Sequence, residues 1–330
     1  MKCTRCREAA VIDLRRHNAA FCVPCFTRFA HTQVQRTIDD HRMFAQGDRV
    51  LVAVSGGKDS LALWAILREL GYSADGLYIG LGIGEYSDAS LEFTQRFADA
   101  RGWPLQVVDV PSVYNFDIPG AAVATKRAPC GACGLSKRHL FDQAATEGGY
   151  DAVATGHNLD DEAAVLLGNV LRWEIEPMSR QSPVLEAHDG FPRKVKPLVR
   201  LSERETAAYC VISGIDYLVD ECPMSVGNKH IGYKEMLNTL ELQSPGAKTA
   251  FLGHFYERGR AALQVPEREP RELRACATCG GPTNSEICQF CRMREKADGV
   301  TSTPLIARKS NKRRKSRRSA TAAPESTGTP

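Results

Sequence analysis

Leu51-Val52-Ala53-Val54-Ser55-Gly56-Gly57-Lys58-Asp59-Ser60 is an apolar run that breaks into a glycine pair, a lysine, an acid and a hydroxyl. Leu51 to Val54 is β-prone and free of charge, as expected of a strand buried on both faces of a parallel sheet. From Ser60 onward, L-A-L-W-A-I-L-R-E-L has helical length and spacing. The glycines therefore sit on a strand-to-helix turn, where they permit positive φ and close backbone approach. The free N–H groups at the start of the following helix then point at an anion, read here as the phosphates of a nucleotide.

A Walker A loop, G-x-x-x-x-G-K-[ST], would need glycine at position 52 and Ser or Thr at 59, where this chain has Val52 and Asp59. Ser55-Gly56-Gly57-Lys58-Asp59-Ser60 resembles instead the PP-loop of the N-type ATP pyrophosphatases, which cleave ATP to AMP and pyrophosphate while activating a substrate by adenylation. The alternative is a tight turn that holds nothing.

Composition sets outer bounds. The 330 residues are 43% hydrophobic and 25% charged, an ordinary globular balance. No stretch approaches the roughly 18 apolar residues of a membrane span, and Met1-Lys2-Cys3-Thr4-Arg5-Cys6 has no apolar signal centre, so a cytoplasmic protein with no membrane partner is expected. The net charge of +4 conceals a division: residues 301–330 carry eight Lys/Arg and one acid, and the other 300 residues sum to −3. The run Asn311-Lys312-Arg313-Arg314-Lys315-Ser316-Arg317-Arg318 reads as a disordered basic arm, giving salt-dependent affinity for nucleic acid or simply solubility.

Eleven of twelve cysteines fall in an orderly pattern that a cytosolic chain would not use for disulfides. Cys3-x2-Cys6 with Cys22-x2-Cys25, and Cys276-x2-Cys279 with Cys288-x2-Cys291, have the spacing of closed four-thiolate zinc sites, structural rather than redox. The third group is Cys130-x2-Cys133 with Cys222, which stands before Pro223. Cys210 falls inside a helix capped by Ser202 and Glu205 and reads as a buried apolar residue. Three thiolates suit a [4Fe-4S] cluster with one open iron, a persulfide backed by a disulfide, or a plain dithiol.

Strands are expected at 49–54, 76–81, 105–110 and 151–155, and helices at 30–45, 60–70, 89–101, 135–147, 160–172 and 204–213. This alternation argues an α/β, doubly wound parallel sheet with ligands beyond the carboxyl ends of its strands. Gly80-Leu81-Gly82-Ile83-Gly84 fits no G-x-G-x-x-G frame and reads as a backbone wall beside an adenosine, with Ile79, or as a turn. In Thr155-Gly156-His157-Asn158-Leu159-Asp160-Asp161-Glu162, Asp161 is a candidate magnesium ligand, although acids in a first helical turn also complement the macrodipole. Lys137 is placed to reach the same phosphates or solvent. Arg193-Lys194-Val195-Lys196-Pro197-Leu198-Val199-Arg200 is a basic strip that would contact phosphates.

The PP-loop, the paired zinc modules, Pro129-Cys130-Gly131-Ala132-Cys133-Gly134 and Glu221-Cys222-Pro223 together resemble the TtuA family of tRNA 2-thiouridine synthetases over residues 1–295. The resemblance implies zinc at Cys3, Cys6, Cys22 and Cys25 and again at Cys276, Cys279, Cys288 and Cys291. It implies a [4Fe-4S] cluster on Cys130, Cys133 and Cys222, and an ATP–Mg2+ site lined by Ala53, Ser55, Gly56, Gly57, Lys58, Asp59, Ser60, Ile79, Lys137, Gly156 and Asp161. Asp59, Lys137, Cys130 and Cys222 would carry the chemistry. The expected organisation is an N-terminal zinc ribbon (1–30), a PP-loop, HUP-like domain (31–220), a helical extension carrying the third cysteine (221–270), a second ribbon (271–295) and a basic tail (296–330). The implied activity is replacement of the O2 of a tRNA uridine, T-loop position 54 favoured, with sulfur from a ubiquitin-like thiocarboxylated carrier protein; a homodimer is compatible. The alternatives are a wobble-uridine thiolase, a 2-thiocytidine synthetase of the TtcA kind, an amide-forming ligase, and a non-enzymatic zinc RNA-binding protein.

Overall fold

The computed structural model describes residues 1–225, 227, 229–263 and 272–301; the basic arm expected from Arg308 onward lies outside the described residues. A two-stranded ribbon, β1 (Ile12–Leu14) and β2 (Ala19–Phe21), leads into α1 (Val23–Asp40). This helix starts earlier than the expected residue 30, because Pro24 in its first turn needs no hydrogen-bond donor and is preset for helix.

The central sheet follows: β3 (Arg49–Val54), α2 (Lys58–Glu69), β4 (Ser73–Gly80), α3 (Gly84–Asp99), β5 (Leu105–Asp109), α4 (Val110–Tyr114), α5 (Ile118–Thr125), α6 (Pro129–Gly148), β6 (Ala152–Thr155), α7 (Leu159–Leu171), α8 (Ile175–Arg180), β7 (Val184–Leu185), β8 (Arg193–Val195) and α9 (Glu203–Ile212). Beyond it lie α10 (Lys229–Gln243), α11 (Ala247–His254), α12 (Arg260–Ala262), a second ribbon of β9 (Arg274–Ala275) and β10 (Pro282–Thr283), and α13 (Gln289–Ala297).

Strand order is β5-β4-β3-β6-β8-β7, parallel except at the β7 edge, which is the expected doubly wound architecture. Residues of β3 alternate between two cores. Val50, Val52 and Val54 face one with Trp64 and α1, and Leu51 faces the other with Leu77, Ile79 and Val153. That two-sided burial is why the strand reads as an unbroken apolar run. The chain leaves β3 towards β4 on one side, while β6 lies on the other, so a crevice opens at the carboxyl ends of β3 and β6 where the winding reverses.

Two further differences from expectation bear on the site and the tail. α6 begins at Pro129 rather than Leu135, so Cys130 and Cys133 sit in its first two turns rather than ahead of it. α13 runs to Ala297, and beyond it Asn115 Nδ2 donates to Asp298 at 3.0 Å while the Gly299 amide donates to the Asn115 carbonyl at 2.9 Å. Residues 296–300 are thus docked chain, not the start of a free tail.

Candidate active site

Gly56 has φ of +71°, and a Cβ there would lie 2.5 Å from the Ser90 carbonyl oxygen. Only glycine turns the chain here. The Ser55 amide donates to Ser60 Oγ at 3.1 Å, and Ser60 Oγ donates back to the Gly57 carbonyl at 3.0 Å, so the buried Ser60 staples the loop from inside. No side chain caps Gly57 at the start of α2, which leaves the first amides of an apolar helix for an anion. Gly156, just past β6, approaches the same turn so closely that a Cβ would lie 3.0 Å from the Ser60 amide nitrogen. Ala53, on β3 between Leu77 and Thr155, completes this floor. Ile79 is buried in the core beneath it, so only its backbone is placed to face a ligand.

Asp59 is the most constrained acid of the loop. It accepts from Thr206 Oγ1, from Asn158 Nδ2 at 3.1 Å, and from Lys58 Nζ at 3.1 Å. Burial nevertheless pushes its carboxyl above the usual range, with Lys58 opposing. Lys58 continues to Glu203 at 2.7 Å, Glu203 to Lys234 at 3.1 Å, and Lys234 to Asp161 at 2.6 Å, an alternating chain of charges across α2, α9, α10 and α7. Glu203 and Lys234 had no signal in the sequence, since neither belongs to a motif and their partners are remote in the chain.

Of the three acids opening α7, only Asp161 faces this crevice. Asp160 pairs with the buried Lys248, and Glu162 with Lys196 at 2.9 Å. Asn158 caps the helix in a full capping box with Asp161, so Asp161 is also a structural residue.

The basic strip at 193–200 is not a row of unpaired cations. Arg193 pairs with Glu186, Lys194 with Asp142 at 2.7 Å, Lys196 with Glu162, and Arg200 with Asp40 at 2.7 Å. Three of the four partners come from elements distant in sequence, and Glu186 from beside the neighbouring edge strand.

A cleft of about 500 Å³ beside the loop is lined by Gly57, Lys58, Asp59, Tyr86, Glu203 and the segment Tyr217–Glu221 among others. The Leu218 amide donates to the Gly56 carbonyl at 2.9 Å. That segment ends at Cys222, whose turn meets α6: Cys130 Sγ lies 3.8 Å from the Met224 carbonyl oxygen. Burial pushes the Cys133 and Cys222 thiols up, and Lys137, one turn along α6 from Cys133, pulls both the other way. Lys137 is also within electrostatic reach of His157, beside Gly156. Cys130 is exposed and Cys133 and Cys222 half-buried, so the trio opens to the solvent side. Cys210 is buried, as expected, and its thiol faces the Lys58 carbonyl.

Among the described residues, two groups gather four ligand atoms within 4.8 Å: Cys3, Cys6, Cys22, Cys25 and Cys276, Cys279, Cys288, Cys291. Tetrahedral bonds of about 2.3 Å place sulfurs about 3.8 Å apart; Cys6–Cys22 at 3.4 Å and Cys279–Cys288 at 3.8 Å fit a single ion. Cys130, Cys133 and Cys222 are not gathered to that spacing.

The first ribbon is fastened through Arg16, whose guanidinium pairs with the buried Glu205 of α9 and donates to the Arg200 carbonyl and Thr249. The second ribbon lies on α6, with Phe290 stacked on His139 at 4.1 Å between centroids. Among the described residues no helix is long and apolar enough to cross a membrane.

A family model described as the N-terminal LIM domain of 2-thiouridine synthetase TtuA matches residues 2–27, and the PP-loop domain matches 28–228. The tRNA-5-methyluridine(54) 2-sulfurtransferase of Thermus thermophilus is 50% identical over 89% of this chain and 91% of its own. The cytoplasmic tRNA 2-thiolation protein 1 of Caenorhabditis elegans is 30% identical over 94% of this chain and 84% of its own. Among solved structures, the U34-tRNA thiolase NcsA of Methanococcus maripaludis with its [4Fe-4S] cluster superposes with a TM-score of 0.74 over 88% of this chain and 95% of that one; at 23% identity the likeness speaks for the fold. Two family matches in the expected order, with relatives aligned over 88–90% of the chain, place this chain in the TtuA family of 2-thiouridine synthetases, PP-loop enzymes that use ATP.

Proposed function

We propose that this chain is an ATP-dependent tRNA uridine 2-sulfurtransferase acting on 5-methyluridine at position 54, working in the cytoplasm. The observation that carries the reading is the approach of Cys222, through the Tyr217–Glu221 segment, to both the phosphate loop and the α6 thiols. The choice of position 54 over the wobble uridine rests on the 50%-identical relative named for it.

In the first half-reaction the uracil O2 bonds to the α-phosphorus of ATP and pyrophosphate leaves. In the second, sulfide sulfur bonds to C2, the C2–O2 bond breaks and AMP leaves. Amides of Gly57 to Ser60 hold the phosphates, Lys58 and Lys137 offset their charge, and Asp59 orients Lys58 and the start of α2. Asp161, with Asp59, would bind Mg2+, and ATP entry exchanges the Lys234 ion pair for that cation. A [4Fe-4S] cluster held by Cys130, Cys133 and Cys222 would supply an iron with an open position for sulfide. The two closed four-thiol groups would hold structural Zn2+. The family resemblance supports a ubiquitin-like thiocarboxylated carrier as sulfur source.

Anaerobic purification tests the reading. A brown protein that thiolates tRNA with ATP and sulfide, and whose cluster spectrum is abolished by Cys222→Ala, is expected; a colourless but fully active protein rejects the cluster.

A further inference from the structure

Two sets of residues surround the reaction: those lining the cleft beside the phosphate loop, and the apolar cluster in which Cys133 and Cys222 pack. Among the described residues Tyr86 is the one common to both. It stands in the first turn of α3, which is fixed on either side by Ser87: the Ile83 amide donates to Ser87 Oγ at 2.9 Å, and Tyr78 Oη donates to the Ser87 carbonyl at 2.9 Å. The ring is half-buried and lies within electrostatic reach of Cys133, Cys222 and Asp220, and its hydroxyl has no partner among the described residues.

We propose that Tyr86 is the positioning residue for the substrate base, an aromatic wall against which the uracil ring lies between the adenylating loop and the three thiols. The inference rests on the thiolase reading above and specifies how that site takes its RNA. The chemistry demands such a wall. O2 and C2 are adjacent atoms of one flat ring, and the first must meet phosphorus on the Lys58–Asp59 side while the second meets sulfur on the Cys133–Cys222 side. An unstacked RNA base is held by aromatic side chains through its face. Tyr217, the other aromatic residue of the cleft, is outside the cysteine cluster.

The test uses the full-length, cluster-loaded enzyme with Tyr86→Ala and Tyr86→Phe. Losing the ring should lower the single-turnover thiolation rate at saturating tRNA about 10–100-fold. The Kd for tRNA, set mainly by phosphate contacts, should change less than about threefold. Cluster absorbance and ATP affinity should equal those of the parent, and Tyr86→Phe should restore most of the rate. Unchanged thiolation by Tyr86→Ala overturns the proposal, as does loss of cluster or ATP affinity in step with the rate, which would make the ring a packing residue. A parent enzyme that cannot thiolate tRNA at all sinks the underlying reading instead.

Discussion

The amide of Leu218 and the carbonyl of Gly56 are joined at 2.9 Å, so the segment that leads to Cys222 is tied to the glycine turn after β3. On the proposed function, this main-chain bond registers adenylation and sulfur delivery to each other. Leu218→Pro removes the donor, and about 1 kcal/mol of ordering with it. Thiolation in an anaerobic assay should fall about fivefold or more, with zinc content unaltered; an unchanged rate would show that the segment needs no such tie.

Asp59→Asn should abolish tRNA sulfur incorporation while leaving folding and zinc content intact. Burial raises the Asp59 carboxyl above its ordinary range, so the folded state favours its protonated form and stability attributable to it declines as pH rises through the raised value. At pH 7 the neutral amide is therefore expected to melt at or above the parent temperature. A large drop in Tm, or persistent thiolation read by mass spectrometry of the tRNA, would contradict this.

β3 and the loop after it were legible because two-sided burial, a glycine that cannot be replaced and a helix start all leave local marks in ten residues. The ribbons were legible from cysteine spacing alone. The ion chain through Glu203 and Lys234, and the position of Tyr86 between cleft and thiols, were not, because each depends on contacts between elements far apart in sequence. The same blindness turned Arg193 to Arg200 into an apparent phosphate surface: a basic strip cannot display the acids that neutralise it from α1, α6 and α7.

Lys196→Ala follows from that correction. It leaves Glu162, 3% exposed, with Tyr256 and Gln181 as its remaining side-chain partners among the described residues. Chemical denaturation should register a loss of about 2–4 kcal/mol. The dependence of tRNA affinity on salt should keep its slope, whereas a slope reduced by about one would return Lys196 to the RNA interface.

Glu205 offers a pH test. Burial works against its charge, yet His17, Arg16 and the Ser202 amide hold its carboxyl down to about 2 from an ordinary 4.5. A depressed acid stabilises the fold above its unfolded value and loses that contribution as pH falls towards the folded one. Glu205→Gln should cost about 3–5 kcal/mol at pH 7. The gap from the parent should hold steady down to about pH 5 and narrow below it. Both proteins share any acid loss of zinc, so the gap isolates Glu205, and one that widens on acidification would refute the assignment.

The stack of Phe290 on His139 places a residue from beyond position 288 against the helix that carries Cys130 and Cys133. On the proposed chemistry, the helix that would hold the inorganic guest leans on a ribbon that would close around an ion of its own, so removal of that ion would be felt at the three thiols, whereas the nucleotide pocket is built on β3 and α2.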